Sequence, residues 1–114
     1  MSELDLIERI TESAVVRDGT LLGVGDDAAV LEGAPGVVVT TDVMVEDVHF
    51  RRATTPMRDL GHKALAVNLS DLAAMGADPR AALVGLVVPP GGLEVADHDA
   101  LRAGMDELAG AHGV

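Results

Sequence analysis

The chain has 114 residues, enough for one domain with a real core and too few for several. Nineteen Asp and Glu against eight Lys and Arg give a net charge of −11, and Phe50 is the single aromatic residue. That balance repels polyanions and offers no base-stacking platform, so it argues against nucleic-acid binding; the absence of Cys leaves no disulfide framework and no thiolate site, so any metal must be a hard one.

No uninterrupted apolar run reaches the roughly 18 residues of a membrane span. The N-terminal "MSELDLIERITES" lacks the basic leader and apolar core of a targeting signal, and the expectation is a cytoplasmic protein without a membrane partner. Residues 2–13 read as a short helix: Ser2 can cap it, Glu3 and Asp5 suit its positive end, and Leu4, Leu6, Ile7 and Ile10 form an apolar stripe. "RDGT" (17–20) is a turn, and "LLGVGDDAAVLEG" (21–33) places short apolar pieces around a Gly-Asp-Asp bend carrying Asp26 and Asp27.

"GVVVTTDVMVEDVHF" (36–50) is rich in β-branched residues and reads as a strand, broken near Asp42 and resumed from Val45 to Phe50. After the basic loop "RRATTPMRD", Asp59 begins a helix that runs to about Met75, with Leu65, Leu69 and Leu72 along one face and Gly76 as its stop. "RAALVGLVVPP" (80–90) is a continuous apolar run bounded by Pro and reads as a buried strand. A last helix, about 94–110, carries Val95, Leu101, Met105 and Leu108. In the ending "AHGV", Gly113 reads as a helix stop and Val114 as the start of a strand, so the expectation is a chain truncated before its last strand. The order predicts an α+β fold, a mixed β-sheet packed with helices, without internal repeats.

Three places offer hard oxygen ligands: the Asp26-Asp27 bend, Thr40, Thr41 and Asp42 near a strand end, and Asp71 in "NLSDLAAMGA" (68–77). Mg²⁺ takes carboxylates and completes its shell with water and substrate phosphate, so together these places could hold a Mg-nucleotide. Each also has a plainer reading. Gly-Asp-Asp suits a turn and Thr-Thr-Asp a turn or cap. Asp71, among apolar neighbours on the helix, is expected to be buried and so to need a partner; Asn68, one turn earlier, could supply a hydrogen bond. His49 is either a site residue or a satisfied core or edge histidine. Arg51, Arg52, Arg58 and Lys63 either face an anion or solvate a loop. No GxxxxGK[ST] phosphate loop or kinase Gly-rich loop occurs.

"GVGDDAAVL", "TTDVMVEDVHF" and "DLGHKALAVNLSDLAAMGADPRAALVGLVVP" resemble, in order and spacing, the N-terminal domain of the thiamine-monophosphate kinase family, within the aminoimidazole ribonucleotide synthetase-like superfamily. The resemblance covers roughly residues 3–114. It implies transfer of the ATP γ-phosphoryl group to thiamine monophosphate, giving thiamine diphosphate. By the same resemblance Asp27, Thr40, Thr41, Asp42 and Asp71 are ligands of a Mg²⁺ cluster, His49 contacts the thiamine substrate, and Asp26 only shapes the bend. No residue is assigned as acid or base, because the acceptor phosphate is already anionic. The family pattern continues into a Gly-Gly-Asp strand and a second domain. Residues 1–114 are therefore expected to be an incomplete N-terminal ATP/Mg-binding and dimerisation domain, inactive alone and homodimeric in its whole form. Two alternatives stand beside this reading: another ATP-using member of the superfamily, and a non-catalytic dimerisation or Mg-binding module.

Overall fold

A computed structural model describes residues 2–16, 18–23, 30–33 and 36–114. Length alone suggests a single compact unit, but the chain divides into two, Met1–Val37 and Val38–Val114.

In the first unit, α1 spans Glu3–Ser13. Its start follows from local chemistry. The Ser2 hydroxyl accepts from the Asp5 N–H at 3.2 Å while the Asp5 carboxylate accepts from the Ser2 N–H at 2.9 Å, a reciprocal capping box that satisfies two otherwise orphaned donors. Leu6 is the buried member of the expected stripe, whereas Leu4 and Ile7 are exposed. Two short strands, β1 (Thr20–Leu22) and β2 (Val30–Leu31), pair antiparallel with Thr20 opposite Leu31 and Leu22 opposite Val30.

Hydrogen bonding from the Ser2 side chain, and then from its backbone N–H, holds the Asp5 carboxyl below its ordinary value. A depressed carboxyl adds stability above the ordinary aspartate range, near pH 3.9, and that contribution is lost as pH falls through the lower folded value. Acid titration followed by circular dichroism is expected to remove helix from α1 over that interval. Ser2→Ala should shift the loss to higher pH, and an unmoved midpoint would count against the capping box.

In the second unit, α2 spans Met57–Ala74 and α3 spans Val95–His112. Both lie close to the ranges the sequence predicts. Pro56 stands at the α2 N-cap, and Asp59 lies in the first turn, where its charge suits the helix dipole. Gly76 ends α2 as expected: with φ of 65° it lets its own N–H reach the Ala73 carbonyl and the Ala77 N–H reach that of Leu72, both at 3.0 Å.

The helices pack antiparallel, since Arg58 meets Gly104 and Glu107 while Gly61 lies against Leu101. Two glycines permit the approach. A Cβ on Gly61 would overlap the Leu101 carbonyl oxygen, and one on Gly104 would overlap that of Arg58 and lie 2.9 Å from the His62 nitrogen. Leu60, Leu65, Leu93, Leu101 and His98 are the buried side chains of this unit. Each buried Leu contributes roughly 1.5–3 kcal/mol. Leu69, Leu72, Met105 and Leu108 are half-buried, but Val95 is exposed.

The expected mixed sheet does not form among the described residues, which hold three helices and one short antiparallel pair. Segment 36–50 contributes only an isolated bridge between Glu46 and Phe50, and 80–90 contributes no strand. Leu83 and Val87 of the supposed buried strand are 92% and 94% exposed. The physical reason is pairing: β-branched composition reports that a segment fits a pleated, half-covered surface, and it creates no strand without a neighbour to accept its hydrogen bonds.

Candidate functional site

Asp71 is exposed, which corrects the expectation of burial. The α2 face that meets α3 carries Leu60, Gly61 and Leu65; Asp71 comes ten residues after Gly61, about 80° round the helix from it. Its partner is Thr40, whose hydroxyl donates to Asp71 Oδ2 at 2.9 Å across 31 residues of sequence. Asn68 instead donates to the Ala64 carbonyl at 2.9 Å. Asp71 also lies in the last turn of α2, which contains no basic residue, so its negative charge sits at the negative end of the helix dipole.

The structure thus brings together two of the oxygen ligands expected from sequence, Thr40 and Asp71. Asp42 is exposed two residues beyond Thr40, with Oδ1 accepting its neighbour's Val43 N–H at 2.7 Å; Thr41 is exposed beside it. Asp26 and Asp27 lie outside the described residues. Among the described residues, no group of three or more His, Cys, Asp or Glu converges on one point. The Thr40–Asp71 pair offers only oxygens, the donor chemistry a hard cation such as Mg²⁺ takes, and Asp42 is related to it only as the second residue after Thr40 in the chain.

A second feature surrounds His49. The turn from Val45 to Phe50 is closed by His49 N–H to the Val45 carbonyl at 2.8 Å and Asp47 N–H to that of Phe50 at 2.7 Å. Asp47 adopts a left-handed φ of 61°, uncommon for a residue with a Cβ. His49 is exposed, so it is not a core histidine. Its Nδ1 accepts the Val45 N–H at 3.0 Å, which in the neutral ring leaves the proton on Nε2. The turn borders an open depression of about 320 Å³, lined also by Arg51, Thr54 and Thr55.

The basic cluster divides. Arg52 pairs with Asp97 and Arg58 with Glu107, tying the 51–58 segment to α3, while the Lys63 ammonium donates to the His49 carbonyl at 2.7 Å. Arg51 has no anionic partner among the described residues, and it is one of the residues lining the depression. Sequence reasoning placed Lys63 only in a general basic group. The signal available was its singularity, as the one Lys among 114 residues.

No helix among the described residues is long and apolar enough to cross a membrane. The thiamine-monophosphate kinase of Bacillus subtilis (strain 168) is 46% identical over 111 residues, covering 96% of this chain and 34% of the relative. That of Mycobacterium tuberculosis (strain ATCC 25618 / H37Rv) is 40% identical over 114 residues, covering 99% and 34%. That of Synechococcus elongatus is 52% identical over 67 residues, covering 57% and 20%. The chain spans at most about a third of the length of these curated relatives. The profile of the family described as AIR synthase related protein, N-terminal domain, matches residues 25–114. With that match extending over most of its length, the chain belongs to the AIR synthase related protein family as an N-terminal domain.

Proposed function

We propose that the chain is the ATP- and Mg²⁺-binding N-terminal domain of a thiamine-monophosphate kinase, homodimeric in its whole form. The observation that carries the reading is the Thr40–Asp71 hydrogen bond, which joins two separate sequence segments into one oxygen-rich surface. Relatives of that name, matched along nearly the whole chain, supply the reaction. Asp71, Asp42, Thr40 and Thr41 would hold Mg²⁺. The bound metal would neutralise phosphate charge and draw ATP to an otherwise repellent acidic surface.

The Thr40 hydroxyl orients Asp71 by occupying Oδ2. His49 presents Nε2–H to the thiamine substrate. In the reaction an oxygen of the thiamine monophosphate phosphate bonds to the ATP γ-phosphorus as the bond to the ADP oxygen breaks, and ADP leaves with that electron pair. The attacking oxygen is already anionic, so alignment replaces a general base. The exposed apolar stretches 37–39 and 83–88 are the kind of surface that a second subunit covers.

The test is to incubate the whole protein with ATP, Mg²⁺ and thiamine monophosphate and to assay thiamine diphosphate. Failure to form it, or preference for an unrelated acceptor, would overturn the reading. His49→Ala is expected to raise KM for thiamine monophosphate roughly 10- to 100-fold, as for loss of a hydrogen bond to a charged group. KM for ATP should change little, and a mutant that loses only ATP affinity would refute the assignment.

A further inference from the structure

We propose that Lys63 is a positioning residue, which sets the direction of the His49 Nε2–H donor by holding the main chain of the Val45–Phe50 turn. The inference rests on the reading that His49 meets the substrate. Three of the four polar groups of His49 are committed: its N–H donates to the Val45 carbonyl at 2.8 Å, its carbonyl accepts from Lys63 at 2.7 Å, and its Nδ1 accepts from the Val45 N–H at 3.0 Å. Nε2 is the one left over. An exposed side chain whose other polar atoms are all held is aimed.

The turn needs an outside tether. It is exposed, it contains a left-handed Asp47, and its remaining hydrogen bonds all run within 45–50. Exposed backbone of that kind opens readily. Lys63 comes from α2, whose packing against α3 makes it the firm support nearest to the turn, and a charged donor to a carbonyl is stronger than a neutral one. The ammonium makes no ion pair among the described residues; its recorded bond is to the His49 carbonyl. That fits a tether better than a surface charge.

Lys63→Met keeps the stem and removes the donor; the side chain is exposed, so the fold should survive. Hydrogen exchange of the Val45 amide is expected to quicken about tenfold, while that of Leu101 in the helix pair stays unchanged. In the whole protein KM for thiamine monophosphate should rise about tenfold, with KM for ATP within about twofold. Lys63→Arg, which still offers a donor, should restore most of both effects. In a His49→Ala background, Lys63→Met should add nothing further to KM.

Unchanged Val45 exchange in Lys63→Met overturns the positioning role, whatever His49 does. An equal rise in KM for ATP overturns it in favour of a direct nucleotide contact. An additive effect in the His49→Ala background shows that Lys63 acts by another route and also overturns it. If His49→Ala itself leaves KM for thiamine monophosphate unchanged, the substrate reading of His49 fails, and quickened Val45 exchange in Lys63→Met then still supports the tether alone.

Discussion

Asp71→Asn in the whole protein is expected to cut thiamine diphosphate formation on the order of a hundredfold or more, the loss typical of removing a group that stabilises developing charge. The same change should leave the fold intact or make it slightly more stable. Asp71 occupies the last turn of α2, where a carboxylate opposes the helix dipole by roughly 0.3–1 kcal/mol, less when exposed to solvent and salt. Asn removes that repulsion and keeps an oxygen for the Thr40 hydroxyl. A carboxylate that opposes its own helix dipole while accepting one hydrogen bond is what the proposed cation role would use. Activity assays across Mg²⁺ concentrations, beside thermal melts followed by circular dichroism, separate the two effects. Near-normal turnover with unchanged Mg²⁺ dependence would sink the assignment.

Gly104→Ala is expected to have the largest effect on stability, about 3 kcal/mol or more, because overpacking a closed contact against main chain has no side chain to push aside. The added methyl would overlap the Arg58 carbonyl oxygen, so α2 and α3 must separate and lose contact along Leu60, Leu65 and Leu101. Gly61→Ala should behave alike, against the Leu101 carbonyl. Gly110→Ala is the internal control: it lies on the same α3, a Cβ there meets nothing within 4 Å, and the better helix former should add about 0.5–1 kcal/mol. Urea denaturation of the three variants measures the contrast. Equal midpoints for Gly104→Ala and Gly110→Ala would refute the close crossing.

The helices were readable from sequence because their causes are local. Ser2 and Asp5 cap α1, Gly76 stops α2, and the spacing of Leu65, Leu69 and Leu72 marks a face that is buried or half-buried. The strands were not, because Val37–Val39 and Leu83–Val88 declare only that they could pair, while the partner is decided elsewhere. Small apolar neighbours around Asp71 do not mean burial, since α3 covers a different side of the helix; the carboxylate is exposed, and its hydrogen bond from Thr40 is not one that burial demands. Thr40 could not be named as its partner from spacing, being 31 residues away. The helix crossing does have a signal in the sequence. Gly61 and Gly104 each cost about 1 kcal/mol in helix propensity, and glycine in mid-helix asks what comes too close for a Cβ.

Lys63 and Asp71 stand eight residues apart on α2, which sets them about 12 Å apart along its axis and about 80° apart around it. One anchors the His49 turn and the other meets Thr40, so a single helix acts as a gauge between these two surfaces. The gauge cannot slip gradually. With Gly61 and Gly104 seated on opposing carbonyls, moving α2 by one residue along α3 would bring a Cβ into each seat. Adjustment between the two surfaces therefore has to come from the turn and from the Thr40 segment, while α2 keeps their spacing constant. Inserting one alanine between Lys63 and Asp71 would turn one mark about 100° past the other and uncouple them at a stroke.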